Sequence, residues 1–150
     1  MTDGLMAANE EQQATLDSVL ETVLYTQDMA QARAFFENVL SLQALNADSR
    51  FTAYPLGSQM LLIFRQGETS DIVHLPQNMG TIPPHDGGGR QHVAFAIAAD
   101  ALAAWEQRLA DNDVAIEGRT HWPRGGESIY FRDPYGHLLE LATPGIWPAY

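Results

Sequence analysis

Three metal-capable side chains occupy matching places in strand-like segments of this chain. Glu21 opens the run E-T-V-L-Y-T-Q-D and His92 opens H-V-A-F-A-I-A-A-D. Glu140 lies inside H-L-L-E-L-A, directly after the tight turn Asp133-Pro134-Tyr135-Gly136. Residues two apart on a strand share a face. On that parity His92, Ala94 and Ala96 lie together, while Val93, Phe95 and Ile97 lie opposite. Leu138, Glu140 and Ala142 share a face, with Leu139 and Leu141 behind them, and Glu21 goes with Val23 and Tyr25. The bulky sets suit packing under a helix; the small set leaves room above the histidine. A carboxylate inside an apolar strand is costly to bury unless it is paired or bound to a metal. Taken singly, Glu21 reads equally as a surface carboxylate at a strand start, and His92 as a core or turn histidine. In matching positions the three together point to a metal site facing a small-molecule cleft.

The elements that hold these residues form a repeat, and a repeat decides the fold before any local assignment does. Strand one spans about 19–26, and Asp28 with Gln31 three residues on reads as a helix N-cap. Met29, Ala32, Phe36, Val39 and Leu40 form the apolar stripe that follows. Residues 51–55 and 59–65 read as a hairpin around Leu56-Gly57-Ser58. The second half repeats the scheme: a strand over His92–Ala98, a helix capped by Asp100 with Leu102, Trp105 and Leu109 on one face, then strands at 113–118, 127–132 and 137–142. The expected organisation is an acidic N-terminal tail over 1–17, module one over about 19–66, a linker over 67–90, module two over about 91–142 and a C-terminal arm over 143–150. The linker ends in His85-Asp86-Gly87-Gly88-Gly89-Arg90, whose glycines suit a mobile lid beside the cleft. His85 reads as a mobile loop residue, His74, His121 and His137 as surface or turn residues, and Trp105 and Phe36 as core.

Bulk properties narrow the function classes. A formal charge of −11 argues against binding a phosphate backbone or an anionic membrane, both of which need basic patches. Cysteine is absent, which removes disulfides, thiol nucleophiles and thiolate metal ligands and suits a reducing cytosol. There is neither a signal-like start nor an apolar run of membrane-spanning length, so a cytoplasmic protein is expected.

Three motifs carry a resemblance. E-T-V-L-Y-T-Q-D-M-A-Q-A-R-A-F-F-E-N-V-L, Q-H-V-A-F-A-I and Y-F-R-D-P-Y-G-H-L-L-E-L resemble the opening strand and helix, the second opening strand and the D-P-x-G signature of the vicinal oxygen chelate superfamily. That superfamily includes glyoxalases, extradiol dioxygenases, fosfomycin-resistance transferases and bleomycin-resistance proteins. The resemblance covers about 19–142. It implies an α+β fold of two βαβββ modules forming a half-open barrel around a central metal, and a homodimer. It implies Glu21, His92 and Glu140 as metal ligands, with Glu21 or Glu140 also moving a proton, and Ser128 and Tyr130 as pocket-lining residues. Arg124, on the loop before their strand, reads equally as a solvated cation and as a clamp on a substrate carboxylate or phosphate.

Two departures from the family pattern shape the expected chemistry. Glyoxalases place a fourth ligand where this chain has Leu62, which leaves three protein ligands and open positions, as catalytic sites have. Extradiol dioxygenases and fosfomycin-resistance enzymes carry histidine where Glu21 stands. Two histidines and one carboxylate suit non-haem Fe(II) and oxygen. One histidine and two carboxylates form a harder, more anionic set that favours Mn²⁺ among Mn, Fe, Ni and Zn. The expected activity is therefore Lewis-acid isomerase or lyase chemistry on a small substrate with vicinal oxygens. The rivals are a metal-free binding protein of the bleomycin-resistance kind and a ring-cleaving dioxygenase. The substrate itself is not written in the sequence, because the family shares a site and diversifies its pocket.

Overall fold

In the computed structural model, which describes residues 12–150, the same four-stranded sheet is built twice. The first module runs β1 (Glu21–Thr26), α1 (Met29–Ala34), β2 (Asn46–Ala47), β3 (Phe51–Leu56) and β4 (Gln59–Arg65). A ribbon of β5 (Val73–His74) and β6 (Thr81–Ile82) follows. The second module runs β7 (His92–Ala96), α2 (Leu102–Asp111), β8 (Gly118–His121), β9 (Glu127–Arg132) and β10 (Leu138–Ala142). The strand orders are β1-β4-β3-β2 and β7-β10-β9-β8, with the first pair of each sheet parallel and the rest antiparallel. A parallel pair needs a crossover, and the helix supplies it in each module. The expected pairing of two βαβββ modules therefore forms, in an α+β fold whose sheets do not close into a barrel. Of the expected tail, residues 1–11 lie outside the described residues, and 12–17 carry no regular structure.

Strand parity sorts the side chains as expected. Leu61 and Ile63 of β4, Ile129 and Phe131 of β9, and Leu139 and Leu141 of β10 all enter the core. Helix α1 starts where Asp28 accepts a hydrogen bond from the Gln31 N–H at 3.0 Å, then loosens into a π-helical turn over Phe35–Val39. That turn carries the two aromatic residues that join the modules. The Phe36 ring lies 6.0 Å from Tyr54 of module one, and the Phe35 ring lies 6.3 Å from Phe131 of module two. Arg108 of α2 donates to the Val39 carbonyl at 2.6 Å and the Asn38 carbonyl at 3.0 Å, capping oxygens that a helix end leaves unpaired.

Several local expectations are corrected. Asp100 caps nothing: it sits inside a 3₁₀ turn (Ala99–Ala101), and α2 begins without a side-chain cap. The strand expected at 113–118 is only Gly118–His121. Asp113, at φ +57°, ends α2 in the left-handed position usual for glycine, while Val114 N–H reaches back to the Leu109 carbonyl. The stop of the helix thus consumes residues expected in the strand. Inside the expected linker lies the β5–β6 ribbon, whose Ile72, Val73, Met79 and Ile82 are exposed. Among the described residues no helix is long and apolar enough to cross a membrane.

His137 is the largest correction. It follows the tight turn, but it is 1% exposed rather than a surface residue. Its Nδ1 accepts from the Gln91 N–H at 2.9 Å, so its Nε2 carries the proton and donates to the Tyr25 carbonyl at 2.7 Å. Tyr25 N–H in turn donates to the Gln91 side-chain oxygen at 3.2 Å. Three residues from β1, the approach to β7 and the approach to β10 thereby lock the modules together. His85 is also held. It meets the Tyr25 hydroxyl at 2.5 Å and packs edge-on against Phe64, with its backbone tied to Thr69. Gly87 and Gly88 lie against the Tyr25 ring and the Gln66 side chain so closely that a Cβ at either would collide. Gly87 and Gly88 thus permit close approach, while Gly89 takes a left-handed φ of +75° with no neighbour in the way.

Candidate metal centre

Register in module two brings His92 and Glu140 onto one face. Leu138 pairs with His92 and Glu140 with Ala94 across β7 and β10, so Glu140 stands one pleat along from the histidine. The resulting separation between His92 Nε2 and Glu140 Oε1 is 3.4 Å. The Glu140 side chain is 9% exposed and that of His92 is 50% exposed, so the pair is reached from the histidine side.

The hydrogen bonds around the pair fix what each atom can do. His92 Nδ1 lies 2.9 Å from the Leu138 carbonyl, which can only accept, so Nδ1 carries a proton. In the neutral ring this leaves the Nε2 lone pair aimed at Glu140. Such an orienting bond from the far nitrogen is the usual support for a metal-binding imidazole. The Ser128 hydroxyl donates to Glu140 Oε2 at 2.7 Å, and the Trp122 indole N–H donates to Ser128 Oγ at 2.8 Å. With Oε2 engaged, Oε1 is the oxygen presented to the histidine. Two lone pairs at this distance repel unless a positive charge lies between them. Donors about 2.1 Å from one divalent ion stand about 3.0–3.4 Å apart as the angle at the ion opens from about 90° to about 109°. The observed spacing fits that bite, and the donor set fits a divalent ion.

Other expected residues fall at varying distances from this pair. Ser128 and Tyr130 lie on the Glu140 face of β9, Tyr130 directly opposite Glu140 in register. The Tyr130 ring lies over Gly118, its partner on β8. Glu21 is exposed at the start of β1, and among the described residues no three His, Cys, Asp or Glu side chains converge on one point. One chain thus brings together His92 and Glu140 but not Glu21. Leu62 pairs with Val23 and so lies on the Glu21 face, as the repeat implied.

Arg124 is exposed on the turn between β8 and β9. Arg33, Arg50, Arg65, Arg119 and Arg132 pair with carboxylates, whereas among the described residues none pairs with Arg124. Trp122 escaped the sequence reading. Its only signal was an indole six residues before Ser128 across a turn with two glycines, a spacing that a hairpin return brings together.

Comparison with known proteins agrees with this architecture. The family model described as the glyoxalase/bleomycin resistance protein/dioxygenase superfamily matches residues 16–141. The metallothiol transferase FosB of Staphylococcus saprophyticus is 31% identical over 129 residues, 85% of this chain and 78% of the relative. FosB of Bacillus licheniformis is 40% identical over 57 residues, 37% of each chain. Among solved structures, a lactoylglutathione lyase from Agrobacterium tumefaciens superposes with a TM-score of 0.78 at 29% identity, covering 90% of this chain and 99% of its own. A glyoxalase/dioxygenase from Nostoc punctiforme, at 21% identity and a TM-score of 0.62, shares the fold over 88% of this chain and 97% of its own.

Proposed function

The chain belongs to the glyoxalase/bleomycin resistance protein/dioxygenase superfamily, and from that premise we propose that it is a divalent-metal-dependent isomerase or lyase. Its substrate is a small molecule that chelates the ion through vicinal oxygens. The observation that carries this reading is the His92–Glu140 pair, oriented by Leu138 and Ser128 so that Nε2 and Oε1 stand 3.4 Å apart.

Glu21 is the third ligand, contributed by a second copy of the chain. Within one chain Glu21 stands apart, and the face of β7 that carries His92, Ala94 and Ala96 is exposed. Two copies related by a two-fold axis would complete two identical sites. One imidazole and two carboxylates favour Mn²⁺ or a similar oxygen-loving ion. When bound, the ion supplies Lewis-acid polarisation of the substrate oxygens. The protein residues divide the remaining work. Glu140 holds Oε1 toward the ion while Ser128 occupies Oε2. Glu21, the more exposed carboxylate, moves the proton on the substrate carbon beside the chelated oxygen. Arg124 meets an anionic group of the substrate, Tyr130 borders it, and Ala94 and Ala96 leave it room.

A second reading, transfer of a thiol to such a substrate, is favoured by the FosB resemblance over 85% of this chain. Thiol consumption in the presence of candidate substrates separates transfer from isomerisation.

Mixing two variants tests the site itself. Glu21→Ala and His92→Ala chains should each lack stoichiometric Mn²⁺. Co-refolded in equal amounts, they should recover about a quarter of the wild-type sites, because random pairing makes half the dimers mixed and each mixed dimer has one intact site. Recovery of none would remove Glu21 of the second copy from the ligand set. Full Mn²⁺ content in His92→Ala alone would remove the centre.

A further inference from the structure

We propose that Trp122 is a positioning residue for the metal centre, acting through Ser128 to hold Glu140 as a ligand through Oε1. This rests on the metal reading above and adds a residue that neither the sequence motifs nor the ligand set contains.

An indole N–H can only donate, so at 2.8 Å from Ser128 Oγ it must use a serine lone pair. The single Ser128 proton is then free to point only toward its other neighbour, Glu140 Oε2, at 2.7 Å. Trp122 therefore sets the direction of the whole relay, with every donor facing the carboxylate. Without the indole N–H the serine hydroxyl can rotate, and Oε2 becomes a second oxygen competing for the ion. Ser128 is 1% exposed, so water does not easily replace the missing donor.

The fold holds the indole in place before any ion arrives. The Trp122 turn closes on itself through Trp122 N–H to the Gly126 carbonyl at 2.8 Å and Gly125 N–H to the Trp122 carbonyl at 2.9 Å. The C-terminal arm lies against this turn: Gly126 N–H donates to the Gly145 carbonyl at 3.2 Å, and a Cβ on Gly126 would come within 2.7 Å of the Gly145 backbone. The arm is itself tied to β10 by the Tyr150 hydroxyl, which donates to the Ala142 carbonyl at 2.6 Å. Such support lets a relay orient a ligand rather than follow it.

The test is a double-mutant cycle read by Co²⁺ titration of the full chain. Trp122→Phe keeps the ring and removes the donor. It should weaken Co²⁺ binding at least about tenfold, as loss of outer partners to metal ligands does. In a Ser128→Ala background the same change should have no further effect, because the relay is already broken. Wild-type affinity in Trp122→Phe, or equal losses in both backgrounds, overturns the role. A wild-type chain that binds no Co²⁺ overturns the metal reading instead, and that outcome is distinct. Should Trp122→Phe fail to fold, Zn²⁺ titration of the wild-type chain decides. The Trp122 indole proton should shift on saturation, with those of Trp105 and Trp147 unmoved. An unmoved Trp122 signal beside a shifting His92 ring overturns the role.

Discussion

Replacing His137 with phenylalanine keeps a ring of similar size at a site that is 1% exposed and removes both of its hydrogen bonds. The Gln91 N–H loses its 2.9 Å acceptor and has nothing in its place. The Tyr25 carbonyl loses its 2.7 Å donor. Orphaning this part-buried N–H costs about 1–3 kcal/mol, and a carbonyl that loses one partner costs about 1 kcal/mol. The expected destabilisation is therefore about 2–4 kcal/mol, or on the order of 5–15 °C in Tm for a chain of this size. Denaturant titration of the metal-free protein measures it directly, since the slope reports whether the unfolded state changed. Tyr135→Phe serves as the control: it removes a bond to Gln66 from the same turn, but at an exposed position, and should cost under about 0.5 kcal/mol. Nitrogen-15 shifts of His137 should report the neutral ring protonated at Nε2. A His137→Phe chain within 0.5 kcal/mol of wild type, or a ring protonated at Nδ1, would refute the lock between modules.

Three further outcomes follow from the same geometry. Glu140→Gln retains an acceptor for Ser128 but loses the ligand charge. Mn²⁺ at about a hundredfold excess over its Kd should stabilise the wild-type chain by about 2.7 kcal/mol and leave this variant unmoved in a thermal scan. Gly87→Ala drives a methyl into the Tyr25 ring and should cost about 1–3 kcal/mol, read by denaturant titration, whereas Gly57→Ala meets no neighbour and strains only its backbone. Burial pushes the Asp133 carboxyl above its ordinary 3.8, against the hydrogen bonds that Oδ1 accepts from the Tyr135, Gly136 and His137 backbone N–H groups. The folded chain therefore holds that proton more tightly than the unfolded one. The associated stability is complete below the unfolded value and is lost as pH rises through the folded one. Asp133→Asn should gain on wild type over that rise, and a constant difference between them across mildly acidic pH would contradict it.

Local periodicity determined much of this protein by itself. A period of two along H-V-A-F-A-I and H-L-L-E-L-A fixed which side chains face the core, and the register of β7 and β10 agrees residue by residue. The repeated order of strand, helix and strands fixed the duplicated module, and Asp133-Pro134-Tyr135-Gly136 fixed the turn that precedes Glu140. These features depend on neighbours within a few residues, so a linear pattern contains them. The remainder depends on partners far apart in the chain. His137 and His85 looked like loop histidines because nothing beside them in sequence says that Tyr25 carries a carbonyl and a hydroxyl to meet them. Trp122 became part of the candidate site only when the β8–β9 turn brought its indole to Ser128 and β10 brought Glu140 to the same hydroxyl. Glu21 matched His92 in the repeat, yet only the packing of the two modules decided that one chain keeps them apart. Side-chain direction on a strand is a property of the strand, whereas a hydrogen-bond partner is a property of the whole packed chain.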